Sequence, residues 1–89
     1  MSPEDEATRG REAQQFLDSS LFVQVKEHIE GQLAAQRRKA GIKDTDLHTR
    51  LIITEQVWGS FQNFFTRLAQ SGKIADIEIE ERKRGIFRR

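Results

Sequence analysis

The sequence predicts an all-α protein: an antiparallel helical hairpin, an additional helix at its amino-terminal side and an extended or frayed arm at its carboxy-terminal side. Three observations carry this expectation. Between Asp46 and Ser71, the residues Leu47, Leu51, Thr54, Trp58, Phe61, Phe65 and Leu68 recur at alternating spacings of four and three, which is one face of a long helix. A second amphipathic run from Leu21 to Ala40 precedes it, joined by only a few residues, so the two should lie antiparallel. Beyond Ser71 and Gly72 the period shortens to two, and the helical pattern stops. The expected organisation is a helical domain over 1–72 and a charged arm over 73–89.

The first helix is expected over about 3–17. Ser2 supplies a capping hydroxyl, Pro3 stands where its missing N–H is harmless, and Glu4 and Asp5 complement the positive end of the helix dipole. Its apolar side is thin, consisting of Ala7, Ala13, Phe16 and Leu17, with Gly10 in the middle. Asp18, Ser19 and Ser20 interrupt the pattern, and their short polar side chains favour a break and a new cap.

The second helix, over 21–40, carries Leu21, Phe22, Val25, Ile29 and Leu33 on one side. Arg37, Arg38 and Lys39 suit the negative end of its dipole, and Gly41 stands where a left-handed cap residue would. Asp44 or Thr45 can then cap the third helix, expected over 46–71. Beside the main row of that helix runs another, Ile53, Val57 and Phe64, so its apolar surface is wider than one helix contact covers. Gly59, inside a strong helix, costs roughly 1 kcal/mol relative to alanine and is read as permitting a close helix approach.

In the arm, Ala75, Ile77 and Ile79 alternate with Asp76, Glu78 and Glu80, which favours a short strand over the helix that Glu, Arg and Lys also support. A lone strand in a helical chain needs a partner: another copy, Ile86 and Phe87, or a different protein. The segment ends in Arg82, Lys83, Arg84, Arg88 and Arg89, cations that could contact nucleic-acid phosphates or the acids just upstream in another copy.

Composition bounds the function. Eighty-nine residues make at most one domain, marginal without a staple, and the absence of cysteine removes disulfides and the usual zinc sites. Oligomerisation is the staple that remains. Fifteen Lys and Arg against 14 Asp and Glu give a weak overall field, so bulk charge does not point to nucleic acid. No run approaches the ~18 apolar residues of a membrane span, and a cytoplasmic setting is expected. His28 and His48 belong to no ligand-spaced motif, the serines have no nucleophile setting, and the glycines make no phosphate loop. The acids Asp76, Glu78, Glu80 and Glu81 are read as keeping an edge soluble rather than as a cation site. No catalytic, cofactor or metal residue is expected. The residues read as core or self-interface are Leu51, Trp58, Phe61, Phe64, Phe65 and Leu68, with Ile77, Ile79, Ile86 and Phe87 as partner contacts of the arm.

The runs FLDSSLFVQVKEHIEGQL, GIKDTDLHTRL and VWGSFQNFFTRLAQSG together resemble small helical proteins encoded among the packaging and structural genes of tailed bacteriophages. Those proteins share an apolar pair before a polar break, a second apolar pair, and an Asp-containing link into a long aromatic helix. The resemblance covers roughly residues 13–72 and carries over no functional residues. It implies a phage virion or assembly accessory protein that binds copies of itself or a larger protein assembly, in the host cytoplasm or the particle. A small packaging or regulatory factor that binds nucleic acid through the basic tail is the alternative.

Overall fold

The computed structural model describes residues 2–87, with side chains as far as residue 85. Arg88 and Arg89, and the side chains of Ile86 and Phe87, lie outside the described residues. Every element is helical: α1 Pro3–Asp18, α2 Ser20–Lys39 and α3 Thr45–Phe87.

The helix boundaries from Ser2 to the start of α3 each have a local cause. The Ser2 hydroxyl accepts from the Asp5 N–H, and Pro3 opens α1. Ser19 is the single residue between α1 and α2, and it serves both. Its N–H and hydroxyl donate to the Phe16 carbonyl, while its Oγ accepts from the Phe22 N–H at 3.2 Å. The expected break is therefore one residue wide. Helix α2 ends at Ala40, whose N–H reaches the Gln36 and Arg37 carbonyls and whose backbone is extended. No described glycine has a positive φ, so Gly41 is not the left-handed cap that its position implied. Asp44 takes the cap position of α3, its carbonyl accepting from the His48 N–H.

The expected stop at Gly72 is corrected: α3 passes through it and runs 43 residues. Neither the strand nor the extended arm forms over 74–87. Six alternating residues were too few to fix a period, because the same positions satisfy a helix equally well. In α3, Ala75 and Ile79 lie one turn apart, Ala75 fully buried and Ile79 half-buried, whereas Ile77 falls on another face and is exposed. Helix-forming Lys, Glu and Arg residues fill the intervening positions, and Glu80 and Arg84 form an i,i+4 pair. The 72/73 boundary drawn from sequence thus falls inside one continuous helix.

The tight helix pair also differs from expectation. By far the most extensive contact joins α1 to the second half of α3, while α2 touches each of the others lightly. The α1–α3 pair is antiparallel, since Gly10 meets Gly72 and Phe16 meets Phe65. Its seam is built from small residues: Ala7, Gly10 and Ala13 on one side, Ala69, Gly72 and Ala75 on the other, all buried. Where the backbones cross, a Cβ on Gly10 would stand 2.5 Å from the Gly72 Cα, so glycine at both positions is what lets the helices approach so closely. Arg11 reaches over the crossing to Asp76 at 3.1 Å, an exposed pair that adds little stability. Gly59, read from sequence as the close-approach residue, faces open space: a methyl added there would meet nothing within 4 Å.

The outcome is a rod. Its extents are 70 × 24 × 18 Å and its radius of gyration is 19.6 Å, against about 12 Å for a compact chain of this length. Helix α3, at 1.5 Å per residue, accounts for nearly all of the long dimension.

Candidate functional site: an open aromatic groove

Helix α2 runs back beside the first half of α3 but meets it at separated points. Phe22 packs on Trp58, Arg37 pairs with Glu55, and the His48 Nε2–H donates to the Gly41 carbonyl at 2.9 Å, clipping the link to α3. Between these points lies an open groove of about 760 Å³, lined by Leu21, Phe22, Val25, Val57, Trp58 and Phe61 among others.

At one end of the groove five rings form a closed circuit. Phe16 lies 4.9 Å from Phe22 and 4.6 Å from Phe65, Phe22 is 6.2 Å from Trp58, Trp58 is 5.6 Å from Phe61, and Phe61 is 5.2 Å from Phe65. Phe64 joins from outside, edge-on to Phe65. Ring pairs at these separations add of order 1 kcal/mol each beyond simple burial. The circuit ties all three helices together where Ser19 breaks the chain. Trp58 Nε1 is buried there without a hydrogen-bond partner.

The residues expected as core or self-interface divide under this geometry. Leu51 is buried, and Trp58, Phe65 and Leu68 are half-buried. Phe61 remains 45% exposed and Phe64 59% exposed, so within one protomer they are not core. The helix brings Trp58, Phe61, Phe64 and Phe65 together as the spacing implied. Two ring residues, Phe16 and Phe22, were not among the expected site residues, although Phe22 is the one large aromatic buried among the described residues, at 6% exposure. The available signal was their position: each lies three residues from Ser19, so the break folds them toward each other. Ile77 and Ile79 belong to α3 and are not strand positions. Arg82, Lys83 and Arg84 are exposed on its last turns, directly after Glu80 and Glu81.

Chemically the groove is greasy and plain. No titratable side chain lines it, and its two hydroxyls are engaged locally, Ser19 with the Phe16 carbonyl and Thr54 with the Arg50 carbonyl. Such a surface can bury apolar groups. Among the described residues no group of three or more His, Cys, Asp or Glu side chains is placed to hold a metal ion, and no helix is long and apolar enough to cross a membrane.

The apolar exposure extends well beyond the groove. Ile52, Ile53, Phe64, Ile74 and Ile77 are each more than half exposed. The chain presents 7250 Å² to solvent, whereas a compact monomer of 10.3 kDa presents about 5,400 Å². The excess is about 1,900 Å² per chain, more than the roughly 800 Å² that each partner contributes to a standard-size interface. Comparison with known proteins returns no matching family model, no matching curated protein and no matching solved structure.

Proposed function

We propose that this chain is a non-enzymatic assembly module that associates with copies of itself and, so assembled, docks on a larger protein structure. The observation that carries this reading is the unpartnered apolar surface along α2 and the first half of α3, together with a solvent-exposed area larger than a compact monomer of this mass has. A second copy is the simplest cover, because one protomer's excess is matched by an equal excess on the next. The resemblance to proteins encoded among phage packaging and structural genes supports the same role, as a virion or assembly accessory protein in the host cytoplasm or the particle.

The test is mass against concentration. Native mass measurement and sedimentation should show a species larger than 10.3 kDa whose fraction grows with concentration, and the melting temperature should rise with it. A monomer mass and a concentration-independent melt would remove the proposal.

Nucleic-acid binding is the rival reading, resting on Arg82, Lys83 and Arg84 at the end of α3 with Arg88 and Arg89 beyond. The acids Glu78, Glu80 and Glu81 share those turns and offset much of their field. Binding to duplex DNA is therefore expected to be weak, with a log–log salt slope of about −0.9 per phosphate contact, and absent near physiological salt. Submicromolar binding at that salt, lost in a variant with Arg82, Lys83 and Arg84 changed to alanine, would reverse the order of the two readings.

A further inference from the structure

One stripe of α3 carries charged ends that complement each other when the helix is reversed. Starting at Asp46 and stepping alternately by four and three, the stripe passes Arg50, Ile53, Val57, Ser60, Phe64, Arg67, Ser71 and Ile74 and reaches Glu78, with Arg82 one turn further. It lies beside the face that α1 covers. Ile53, Val57 and Phe64 on it are 54%, 64% and 59% exposed. Its charged ends read acid then base at Asp46 and Arg50, and acid then base again at Glu78 and Arg82. All four are exposed, and none forms an ion pair among the described residues.

We propose that two copies pair through this stripe, antiparallel, about a two-fold axis at Phe64. The proposal rests on the self-association proposed above and specifies its geometry. With Phe64 on the axis, Asp46 of one copy faces Arg82 of the other, and Arg50 faces Glu78. Both pairs are equidistant from Phe64, so the same register satisfies both, and the symmetry repeats each pair on the other side. Between the charged ends, Ile53 and Val57 of each copy lie against Ser71 and Ile74 of the other, both of which are exposed. Phe64 meets its own counterpart beside a shallow depression of about 360 Å³ formed by Ser60, Arg67, Leu68 and Ser71. A parallel pair in register would instead set Asp46 on Asp46, Arg50 on Arg50 and Glu78 on Glu78, with like charges along both ends. The antiparallel register turns every one of those repulsions into an attraction.

Charge reversal in the full-length chain tests the register. Arg50→Glu and Glu78→Arg, each alone, place like charges opposite one another twice per dimer, and each should raise the dissociation constant roughly tenfold or more. Both positions are exposed on a helix, so the far-ultraviolet helical signal of each variant should match the parent. Mixed in equal amounts, the two variants regain opposite charges at both contacts and should form a heterodimer with close to parental affinity. A nitroxide on Thr49→Cys gives a second reading: the antiparallel register separates the two labels by about 45 Å along the axis, while a parallel one brings them side by side. If the parent associates but the mixture is no tighter than either variant alone, or the Thr49 labels are adjacent, this pairing is overturned while self-association stands. If the parent is monomeric at every concentration, both proposals fall.

Discussion

Replacing Gly72 with alanine is expected to destabilise the protein by about 3 kcal/mol, as overpacking at a site with no room to yield. The added Cβ would stand 2.6 Å from the Gly10 Cα and 3.2 Å from the Glu6 carbonyl oxygen. Both neighbours are backbone, so no rotamer change can relieve the contact, and the two helices must separate along the whole seam. The better helix propensity of alanine returns only about 1 kcal/mol. Gly10→Ala should behave alike, because its Cβ would meet the Gly72 Cα and the Leu68 carbonyl oxygen. Gly59→Ala should do the opposite and stabilise by roughly 0.5–1 kcal/mol, since its methyl enters open space on an established helix. Chemical denaturation of the three variants side by side decides the matter. A Gly72→Ala variant as stable as the parent would mean that the seam is not the principal contact of the fold.

The second large effect is expected at Phe22. Its ring is 6% exposed and lies between Phe16 and Trp58, so truncation to alanine removes contacts to both other helices at once. A loss of about 3–5 kcal/mol is expected. Phe61→Ala should cost much less in the isolated protomer, where nearly half of the side chain already faces water. Its cost should grow with protein concentration if a second copy covers that face. Denaturation midpoints at low and high protein concentration separate the two residues. Equal costs for Phe22→Ala and Phe61→Ala at the lowest concentration would contradict the ring arrangement.

The helical character of the chain, the break at Ser19 and the clustering of Trp58, Phe61, Phe64 and Phe65 were legible because each depends on local spacing or capping chemistry. The choice of helix partner was not. Apolar weight favoured α2 against α3, yet the closest packing uses Ala7, Gly10, Ala13, Ala69, Gly72 and Ala75, residues that contribute little hydrophobic area and read as weak positions. Their contribution is proximity, which hydropathy does not register. The same blindness misassigned the glycines. Gly72 read as a stop and Gly59 as a contact, although nothing local distinguishes a glycine needed for a neighbouring backbone from one that merely costs propensity. The tail was misread for another reason, since Ala75, Ile77 and Ile79 satisfy either period over so short a run.

The glycine crossing fastens together two points of the chain that are more than sixty residues apart, with all of α2 and the link between them. Closing a loop of that length costs roughly 3–4 kcal/mol of chain entropy before any seam contact is made. The covalent connection through α2 therefore acts as a tether: it keeps α1 at high effective concentration near α3 without contributing much packing of its own. Ile42, in the middle of that tether, is 97% exposed. A single cut there would leave the clasp geometrically intact while changing its molecularity, so that α1 and α3 would stay joined only as tightly as two separate molecules bind at the prevailing concentration.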